Sequence, residues 1–349
     1  MKHTIWLVAA LALVGVAGCA GLTPPGPPSP SGRVRSPASP RALQAATARF
    51  QRGIDLDFYW YKNMNVPQAV MADALYAKSL GANAVSIAFP VCGCGSTATA
   101  GPSTPPPAAL GQAISAARSA GLAVYLRPLV SQGDQASSRV QWQPASLAEF
   151  FRSYQAFLLP YARLAQRTGV SGFYVGTELS RFAHSDDWAA LDAAVGRVYH
   201  GSLYYSANWS DVDEHALAGS GGPPVTVAVD AYQPMPVPPD GFSASWADWT
   251  RGLPQGTVLS EVGILTRAGA QDAPYSWTSS DAPFDPRIQP AWFTAACQAV
   301  HAGHLGGIYF WSISVGQRLD VASTRASYDF VASPGAAAIK GCFSQLAGA

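Results

Sequence analysis

The sequence predicts a (β/α)8 barrel, the α/β fold in which eight parallel strands close into a ring inside a layer of helices. Eight short segments rich in β-branched and aromatic residues recur between residues 53 and 314, and most of them precede a helical pattern. Strands that alternate with helices favour a parallel sheet with crossover connections. An open doubly wound sheet is the alternative, but no G-x-G-x-x-G phosphate fingerprint follows the first segment.

The predicted strands are short, nearly continuous apolar runs, which is the pattern of strands buried on both faces of a parallel sheet. Together with their helices they occupy roughly 300 residues, a length that fits one closed barrel. The eight runs cover residues 53–61, 82–91, 122–130, 170–180, 202–209, 225–232, 257–264 and 306–314.

Helices are predicted between these strands, and several of them stop at a glycine, the usual residue just after a helix. The glycines are Gly81, Gly121, Gly169 and Gly303. Between the fifth and sixth strands, residues 210–222 leave room for only a short helix. The predicted helices cover residues 67–80, 108–120, 147–168, 187–199, 243–253 and 290–302.

Residues 1–18 have the pattern of a bacterial secretory signal peptide. A short start with Lys2 precedes the apolar run Ile5–Val14, and small residues follow up to Cys19. The run is too short for a spanning helix. Its Val-Ala-Gly-Cys ending resembles a lipobox, so Cys19 is expected to be lipidated and to become the mature N-terminus. The alternative is an ordinary signal peptide with an incidental cysteine.

Residues 19–47 are rich in Pro, Ser and Gly. Such a segment cannot bury a core, so we expect an extended tether, and the folded domain should span residues 48–349. Export and a lipid anchor place the protein in the bacterial cell envelope, attached to a membrane and outside the cytoplasm. The formal net charge is +1, which gives no sign of a nucleic-acid partner, and we expect a monomer.

Four further cysteines, Cys92, Cys94, Cys297 and Cys342, fall within the folded domain. An exported protein can form disulfides, and four cysteines allow three connectivities. A bridge between Cys92 and Cys94 is expected to be strained because they are so close in sequence. A Cys297–Cys342 bridge would pin the C-terminus. The sequence does not decide between these pairings, and no zinc-ligand spacing is found around them.

Polar side chains near the ends of the predicted strands mark the candidate site, because the chemistry of such barrels lies there. Glu178 and Glu261 interrupt apolar runs on the fourth and seventh strands, which lie on opposite sides of the pocket mouth. A carboxylate in such a run is costly unless something pairs with it or uses it. The other candidates are Asp57, Trp60, Arg127, Asn208, Asp230, Tyr232 and Trp311.

Two carboxylates that face each other across a pocket suit glycoside hydrolysis. One is protonated and donates to the leaving oxygen, whereas the other is ionised and attacks the anomeric carbon. Their mutual repulsion and partial burial raise the pKa of one of them, as a general acid at neutral pH requires. The alternative for either glutamate alone is a structural carboxylate, paired for instance with Arg127.

Short stretches spread over most of the folded domain share the motifs of a known family. They are "YLRPLV" (125–130), "GFYVGTELS" (172–180), "GRVYHGSLYYSANW" (196–209), "VDAYQP" (229–234), "LSEVGI" (259–264) and "YFW" (309–311). In these stretches the chain resembles glycoside hydrolase family 113, the β-mannanases with a TIM barrel among the retaining enzymes of clan A. Thr177 precedes Glu178 as in that family, where many other clan-A enzymes have Asn.

The resemblance implies a role for each matching residue. Glu178 matches the acid/base and Glu261 the nucleophile, while Trp311 matches an aromatic side chain on which a sugar ring stacks. No metal ion or organic cofactor is implied. The two carboxyl groups should then lie about 5–5.5 Å apart, as retention requires. Further substrate contacts are expected from Trp60, Arg127, Asn208, Asp230, Tyr232 and Trp277, and Trp209 is expected in the core.

The leading hypothesis is a membrane-tethered retaining endo-glycosidase that cleaves a β-linked polysaccharide, with β-1,4-mannan as the first candidate. One alternative is a clan-A hydrolase for another β-glycan, including an exopolysaccharide made by the same cell. Another is a non-catalytic surface lipoprotein that binds glycans without turnover. The presence of both glutamates argues against the last, since a retired pocket has no need of two costly carboxylates.

Overall fold

The computed structural model describes residues 50–132, 138–211, 224–277 and 282–347. The expected signal peptide, Cys19 and the tether lie outside the described residues, and so does most of the segment between the fifth and sixth predicted strands. The sites and elements below all belong to the described part of the chain.

Eight parallel strands close into a barrel, as the sequence predicts. Their order around the ring is sequential, and the first strand pairs with both the second and the last, which closes the sheet. A short ninth strand, β3, lies antiparallel to β2 outside the ring. The strands are β1 Gln51–Asp57, β2 Ala84–Cys94, β3 Thr97–Thr99, β4 Ala123–Gln132, β5 Gly172–Thr177, β6 Ser202–Asn208, β7 Val225–Asp230, β8 Val258–Val262 and β9 Gly307–Ser314.

Helices follow most barrel strands, and one of them was not predicted. The additional helix, α7, follows the last strand and packs against α6. None of the helices in the described ranges combines the length and apolar character needed to cross a membrane. The helices are α1 Val66–Ser79, α2 Pro107–Ser119, α3 Leu147–Thr168, α4 Asp187–Gly196, α5 Phe242–Thr250, α6 Ile288–Ala302 and α7 Pro334–Leu346.

Two strand boundaries differ from the prediction. The first strand ends at Asp57 rather than at residue 61, and Tyr59 and Tyr61 are exposed in the connection that follows. Aromatic residues favour strands in general, so a run of them at a pocket rim extends the predicted strand too far. The second strand instead continues to Cys94 and turns back as β3. The Ser153 hydroxyl of α3 accepts a hydrogen bond from Ala98 of β3 (3.0 Å).

Tyrosine side chains fill the lower end of the barrel. Each is the third residue of its strand, so strand alternation points all of them inward. Their ring centroids lie 5.2–5.8 Å apart, and the Gln51 amide links two of the hydroxyl groups. The four are Tyr125, Tyr174, Tyr204 and Tyr309. Because the barrel is plugged at this end, a pocket has to form at the other end.

Glycines make room for these rings. A Cβ on Gly53 would lie 2.1 Å from a ring carbon of Tyr309, and one on Gly172 would lie 2.5 Å from the ring of Tyr125. No side chain fits at such a distance. The glycines at the start of the first and fourth barrel strands are therefore required by packing.

Both cysteine pairs form disulfides. Cys297 of α6 is bonded to Cys342 of α7, as the sequence allowed. Cys92 and Cys94 are bonded to each other, so the expectation against this pairing is wrong. Alternate residues of a strand point to the same face, and the two Cα atoms lie 5.6 Å apart, within the range that a disulfide spans.

Candidate active site

Two glutamates lie at the open end of the barrel, on strands that are not neighbours. Glu178 immediately follows β5, and Glu261 is the fourth residue of β8. Only 9% of the Glu178 surface and 4% of the Glu261 surface are exposed. The structure therefore brings two nearly buried carboxylates to the end of the barrel where the sequence predicts them.

Glu178 has an unusual backbone conformation. Its φ angle is +51°, in the left-handed region that residues other than glycine rarely adopt. Its backbone N–H still donates to the Ser206 carbonyl of β6 (2.8 Å), so the strand pairing holds the residue in place. Backbone strain of this kind persists where surrounding contacts over-determine the conformation, and it is found most often at functional sites.

The Glu178 carboxylate is held by one amide and one guanidinium group. Asn208 Nδ2 donates to Oε1 (2.9 Å), and Arg139 Nη1 donates to Oε2 (3.2 Å). The orientation of the Asn208 amide is fixed, because its Oδ1 accepts from the backbone N–H and the hydroxyl of Ser210 (3.1 and 2.9 Å). Asn208 therefore contacts the candidate acid/base directly, at the pocket position where the sequence expects it.

Glu261 is held from two sides by different donors. The Tyr232 hydroxyl donates to Oε2 (2.6 Å), and Arg127 Nη2 forms an ion pair with Oε1 (2.9 Å). The Glu261 backbone carbonyl accepts from Ala231 (2.7 Å), so β7 and β8 together fix the residue. Both contacts favour the ionised carboxylate.

Arg127 has no exposed surface, so it is not placed to contact a sugar as the sequence predicts. It follows the inward-facing Tyr125 by two residues on β4 and therefore points into the barrel above the tyrosine layer. Nη2 lies 2.5 Å from Asp230 Oδ2, and Nη1 lies 3.9 Å from Asp55 Oδ1. The guanidinium group thus balances three buried carboxylates, including that of Glu261.

Asp230 is also completely buried. Besides Arg127, its partners are the hydroxyl groups of Ser206 and Ser260, which donate to Oδ1 (2.8 and 2.9 Å). The predicted direct substrate contact does not fit this environment either. Asp230 instead supports the floor of the site, next to the Glu261 residue with which it pairs in the sheet.

Burial raises the pKa of both glutamates. For Glu178 the charge of Asp230 adds to this effect, while Arg139 and the Asn208 amide oppose it. For Glu261 the nearby Arg127 opposes the effect of burial, whereas Asp230 and Glu178 reinforce it. Two buried carboxylates that repel each other are disfavoured as a doubly ionised pair. The site is therefore suited to hold one proton between them.

The predicted aromatic contacts lie in different surroundings. Trp311 is half-buried on β9, and its Cβ lies within 3.3 Å of the position that a Cβ on Gly263 would take, next to Tyr232. Trp60 is half-buried and packs against the core, while 63% of Trp277 is exposed. The expectation that Trp209 is a core residue is wrong: it is partly exposed.

Three residues of the site carry too little sequence signal to be predicted. Arg139 lies in an irregular segment after β4, and the sequence does not show that this segment reaches Glu178. Ser210 could have been recognised from the Asn-x-Ser spacing, because an Asn side chain commonly accepts from the backbone two residues on. Tyr275, whose ring faces Trp209 at 6.2 Å, lies in a long connection. Within the described ranges, no His, Cys, Asp and Glu side chains group as a metal site would require.

The sequence matches one family model over much of its length. Residues 99–332, about two-thirds of the chain, match the model of glycoside hydrolase family 113. None of the curated proteins matches the chain in sequence. The matched range includes both glutamates, Arg127, Tyr232 and Trp311, and it begins after the first two barrel strands.

Solved structures with the same barrel include two enzymes of that family. The β-mannanase AaManA from Alicyclobacillus acidocaldarius is 21% identical with a TM-score of 0.73, and the match covers 85% of this chain and 98% of that one. A family 113 β-1,4-mannanase solved as a complex is 18% identical with a TM-score of 0.72, covering 85% and 99%. The catalytic domain of the major endoglucanase from Xanthomonas campestris pv. campestris is 15% identical with a TM-score of 0.52, covering 84% and 95%.

Proposed function

This chain belongs to glycoside hydrolase family 113, and from that premise we propose that it cleaves β-1,4-mannan with retention of configuration at the anomeric carbon. Family membership makes it a glycoside hydrolase. The observation that supports the mechanism is the pair of nearly buried carboxylates at the ends of β5 and β8, each held by its own set of donors.

The different surroundings of the two glutamates suggest their roles. Glu261 contacts the fully buried Arg127 and accepts from Tyr232, so its ionised form is favoured and it serves as the nucleophile. Arg139, beside Glu178, is partly exposed, and solvent screens its charge. Of the two, Glu178 therefore keeps the proton and serves as the acid/base.

The reaction proceeds by two displacements. In the first, Glu261 attacks the anomeric carbon, the bond to the leaving oxygen breaks, and the Glu178 proton passes to that oxygen. In the second, the ionised Glu178 takes a proton from water, whose oxygen attacks the anomeric carbon and releases Glu261 from the covalent intermediate. This sequence requires the two carboxyl groups to be about 5–5.5 Å apart.

Mannan is the preferred substrate because both similar family 113 structures are described as β-mannanases. An endoglucanase and fungal β-1,4-galactanases share the barrel at lower similarity. Cellulose, galactan and an exopolysaccharide of the producing cell therefore belong in the same test panel. Cleavage inside the chain, as in an endo-mannanase, would release a ladder of short products.

Removal of either carboxylate tests the proposed roles. Glu178→Gln and Glu261→Gln should each lower reducing-sugar release from mannan by about a thousandfold or more, because each displacement needs both groups. Asp192→Asn is the matched control, since it removes a buried carboxylate of α4. Wild-type rates in both glutamine variants on every polysaccharide of the panel would refute the assignment.

We also propose that the mature protein is a lipoprotein of the bacterial cell envelope. The support is the sequence alone, namely the apolar run before Cys19 and the Pro-rich segment after it. Labelled fatty acid should be incorporated into the wild-type protein and not into Cys19→Ala. Equal incorporation in both, or none in either, would reject the anchor.

A further inference from the structure

Two aromatic rings face each other beside the candidate active site and have no role in the reaction described above. Trp209 directly follows β6, and Tyr275 lies in the connection after β8. Their ring centroids are 6.2 Å apart and their planes are within 17° of parallel. Trp209 is partly exposed, and 52% of Tyr275 is exposed. The two rings form the aromatic pair discussed below.

Aromatic exposure in this protein is concentrated at one end of the barrel. In the described part of the chain, every strongly exposed aromatic side chain lies in a connection that leaves the C-terminal end of β1 or β8. These side chains are Tyr59, Tyr61, Tyr275, Trp277 and Phe284. Exposed apolar surface gathered at one place indicates a binding surface. Flat rings suit pyranoses, because sugar C–H groups pack on aromatic faces while the hydroxyls stay solvated.

Contacts along the chain connect the aromatic pair to Glu178. Asn208 donates to the Glu178 carboxylate and accepts from Ser210, so the residue between them, Trp209, is held in a tight turn. The Asp211 backbone N–H closes this turn by donating to the Asn208 carbonyl (2.9 Å). The Trp209 backbone is therefore fixed next to the group that contacts the leaving oxygen.

The second ring is held by the opposite strands. The Tyr328 hydroxyl donates to the Pro274 carbonyl, directly before Tyr275. The Met235 backbone N–H donates to the Gln271 carbonyl (2.9 Å), which ties the same connection to the segment after β7. Because both rings are positioned without a ligand, little ordering is needed when a sugar binds.

We propose that Trp209 and Tyr275 bind the sugar units on the leaving-group side of the scissile bond. This inference rests on the proposed function, in which Glu178 protonates the leaving oxygen. The sugar that departs with that oxygen lies beside Glu178, and the next side chain beyond the Asn208 contact is Trp209. The pair thus determines how strongly the enzyme prefers polymeric over short substrates.

Two substrates that differ only in the leaving group test this proposal. Mannohexaose places sugars on both sides of the cleaved bond, whereas in mannobiosyl fluoride the leaving group is a single atom that cannot reach the pair. Trp209→Ala and Tyr275→Ala should each lower kcat/KM for mannohexaose about tenfold, which is the loss of one aromatic stacking contact. The value for the fluoride should stay within about twofold of the wild-type value. Phe284→Ala removes an exposed ring from the same connection and leaves the pair intact, so neither rate should change.

Each other outcome has a distinct meaning. Unchanged kcat/KM for mannohexaose in both variants, with an active wild-type enzyme, overturns the inference and leaves the proposed function standing. An equal loss on both substrates also overturns it, because the rings would then act through Asn208 and Glu178 rather than on the leaving sugar. No cleavage of mannohexaose by the wild-type enzyme contradicts the proposed function itself.

Discussion

Arg127 is the cation that allows several carboxylates to share one barrel interior. It contacts Asp230 and Glu261 closely and Asp55 at longer range, and neither it nor the two aspartates has any exposed surface. A buried ion pair adds little net stability by itself, but the loss of one partner leaves the other charge uncompensated. Arg127 is therefore a positioning residue whose removal should damage both folding and activity.

Replacement of Arg127 should be strongly destabilising. Arg127→Ala is expected to lower the free energy of unfolding by about 3–5 kcal/mol at pH 7, as measured by urea titration. Without the guanidinium group the pKa values of the buried carboxyls rise further in the folded state, so stability is lost as pH rises and the deficit should shrink in acid. Arg251→Ala, which breaks an exposed ion pair with Asp248, should cost less than about 1 kcal/mol. A deficit that does not depend on pH would contradict this account.

The Tyr232 hydroxyl should control the ionisation of Glu261. It donates to the carboxylate at 2.6 Å, which favours the ionised form and opposes the rise in pKa caused by burial. In Tyr232→Phe the pKa of Glu261 should rise, so the acidic limb of the kcat/KM profile should move to higher pH. The rate at the optimum should fall about 10- to 100-fold, the value of one hydrogen bond to a charged group. An unshifted acidic limb would show that Glu261 does not titrate as the nucleophile.

The strands pass from packing to chemistry in steps of two residues. On β6 the inward positions are Tyr204, Ser206 and Asn208, which belong in turn to the tyrosine layer, the Asp230 support and the Glu178 contact. Because side chains on one face of a strand recur every second residue, one short strand supplies all three. The glycines of the neighbouring strands then decide whether the tyrosine layer fits.

Gly53 should not tolerate a side chain. In Gly53→Ala the new Cβ would collide with the Tyr309 ring, and overpacking of this kind costs about 1–3 kcal/mol or more. Gly341→Ala is the matched control, because a Cβ there meets nothing within 4 Å and the position lies inside α7. That variant should be more stable than wild type by roughly 0.5–1 kcal/mol. Thermal unfolding measures both, and equal stability of the two variants would contradict the packing account.

The bridge between α6 and α7 should make a larger contribution than the bridge in β2. Cys297 and Cys342 are 45 residues apart, whereas Cys92 and Cys94 are two apart. Closing a longer loop removes more entropy from the unfolded chain, and for a loop of this length the gain is about 2–4 kcal/mol. Cys297→Ala/Cys342→Ala should therefore unfold at lower denaturant concentration than Cys92→Ala/Cys94→Ala. The reverse order would refute this explanation.

The barrel could be predicted from the sequence because its physical signal is local and repeated. Each buried strand is an apolar run, and each helix that follows has its own stop, so eight repeats reinforce one another. The Glu178 and Glu261 positions could be predicted for the same reason: a carboxylate that interrupts an apolar strand stands out.

Other features depend on contacts that a linear pattern does not contain. Arg127 was expected to contact substrate because a charged residue near a strand end commonly faces solvent, yet three carboxylates from other strands keep it buried. Trp209 was expected in the core because tryptophan is mostly buried, but its turn presents it to the pocket. The β3 hairpin and α7 depend on packing against α3 and α6, which short-range propensity does not reveal.

The molecule as a whole places both proposed catalytic groups on one closed sheet, whose first strand lies outside the range matched by the family model. That strand pairs with both β2 and β9, so the geometry of the site depends on the closure of the entire barrel. The comparison with solved structures supports this, since it covers 85% of the chain, more than the matched range.

Capture of the covalent intermediate distinguishes this mechanism from every alternative. The wild-type enzyme incubated with 2-deoxy-2-fluoro-β-mannosyl fluoride should gain the mass of one fluorosugar, and peptide mapping by mass spectrometry should place it on Glu261. Glu261→Gln should gain nothing, and product released early from mannan should be the β-anomer. A fluorosugar on Glu178 or on any other residue, or an α-anomer released from an enzyme that takes up no label, would contradict the account.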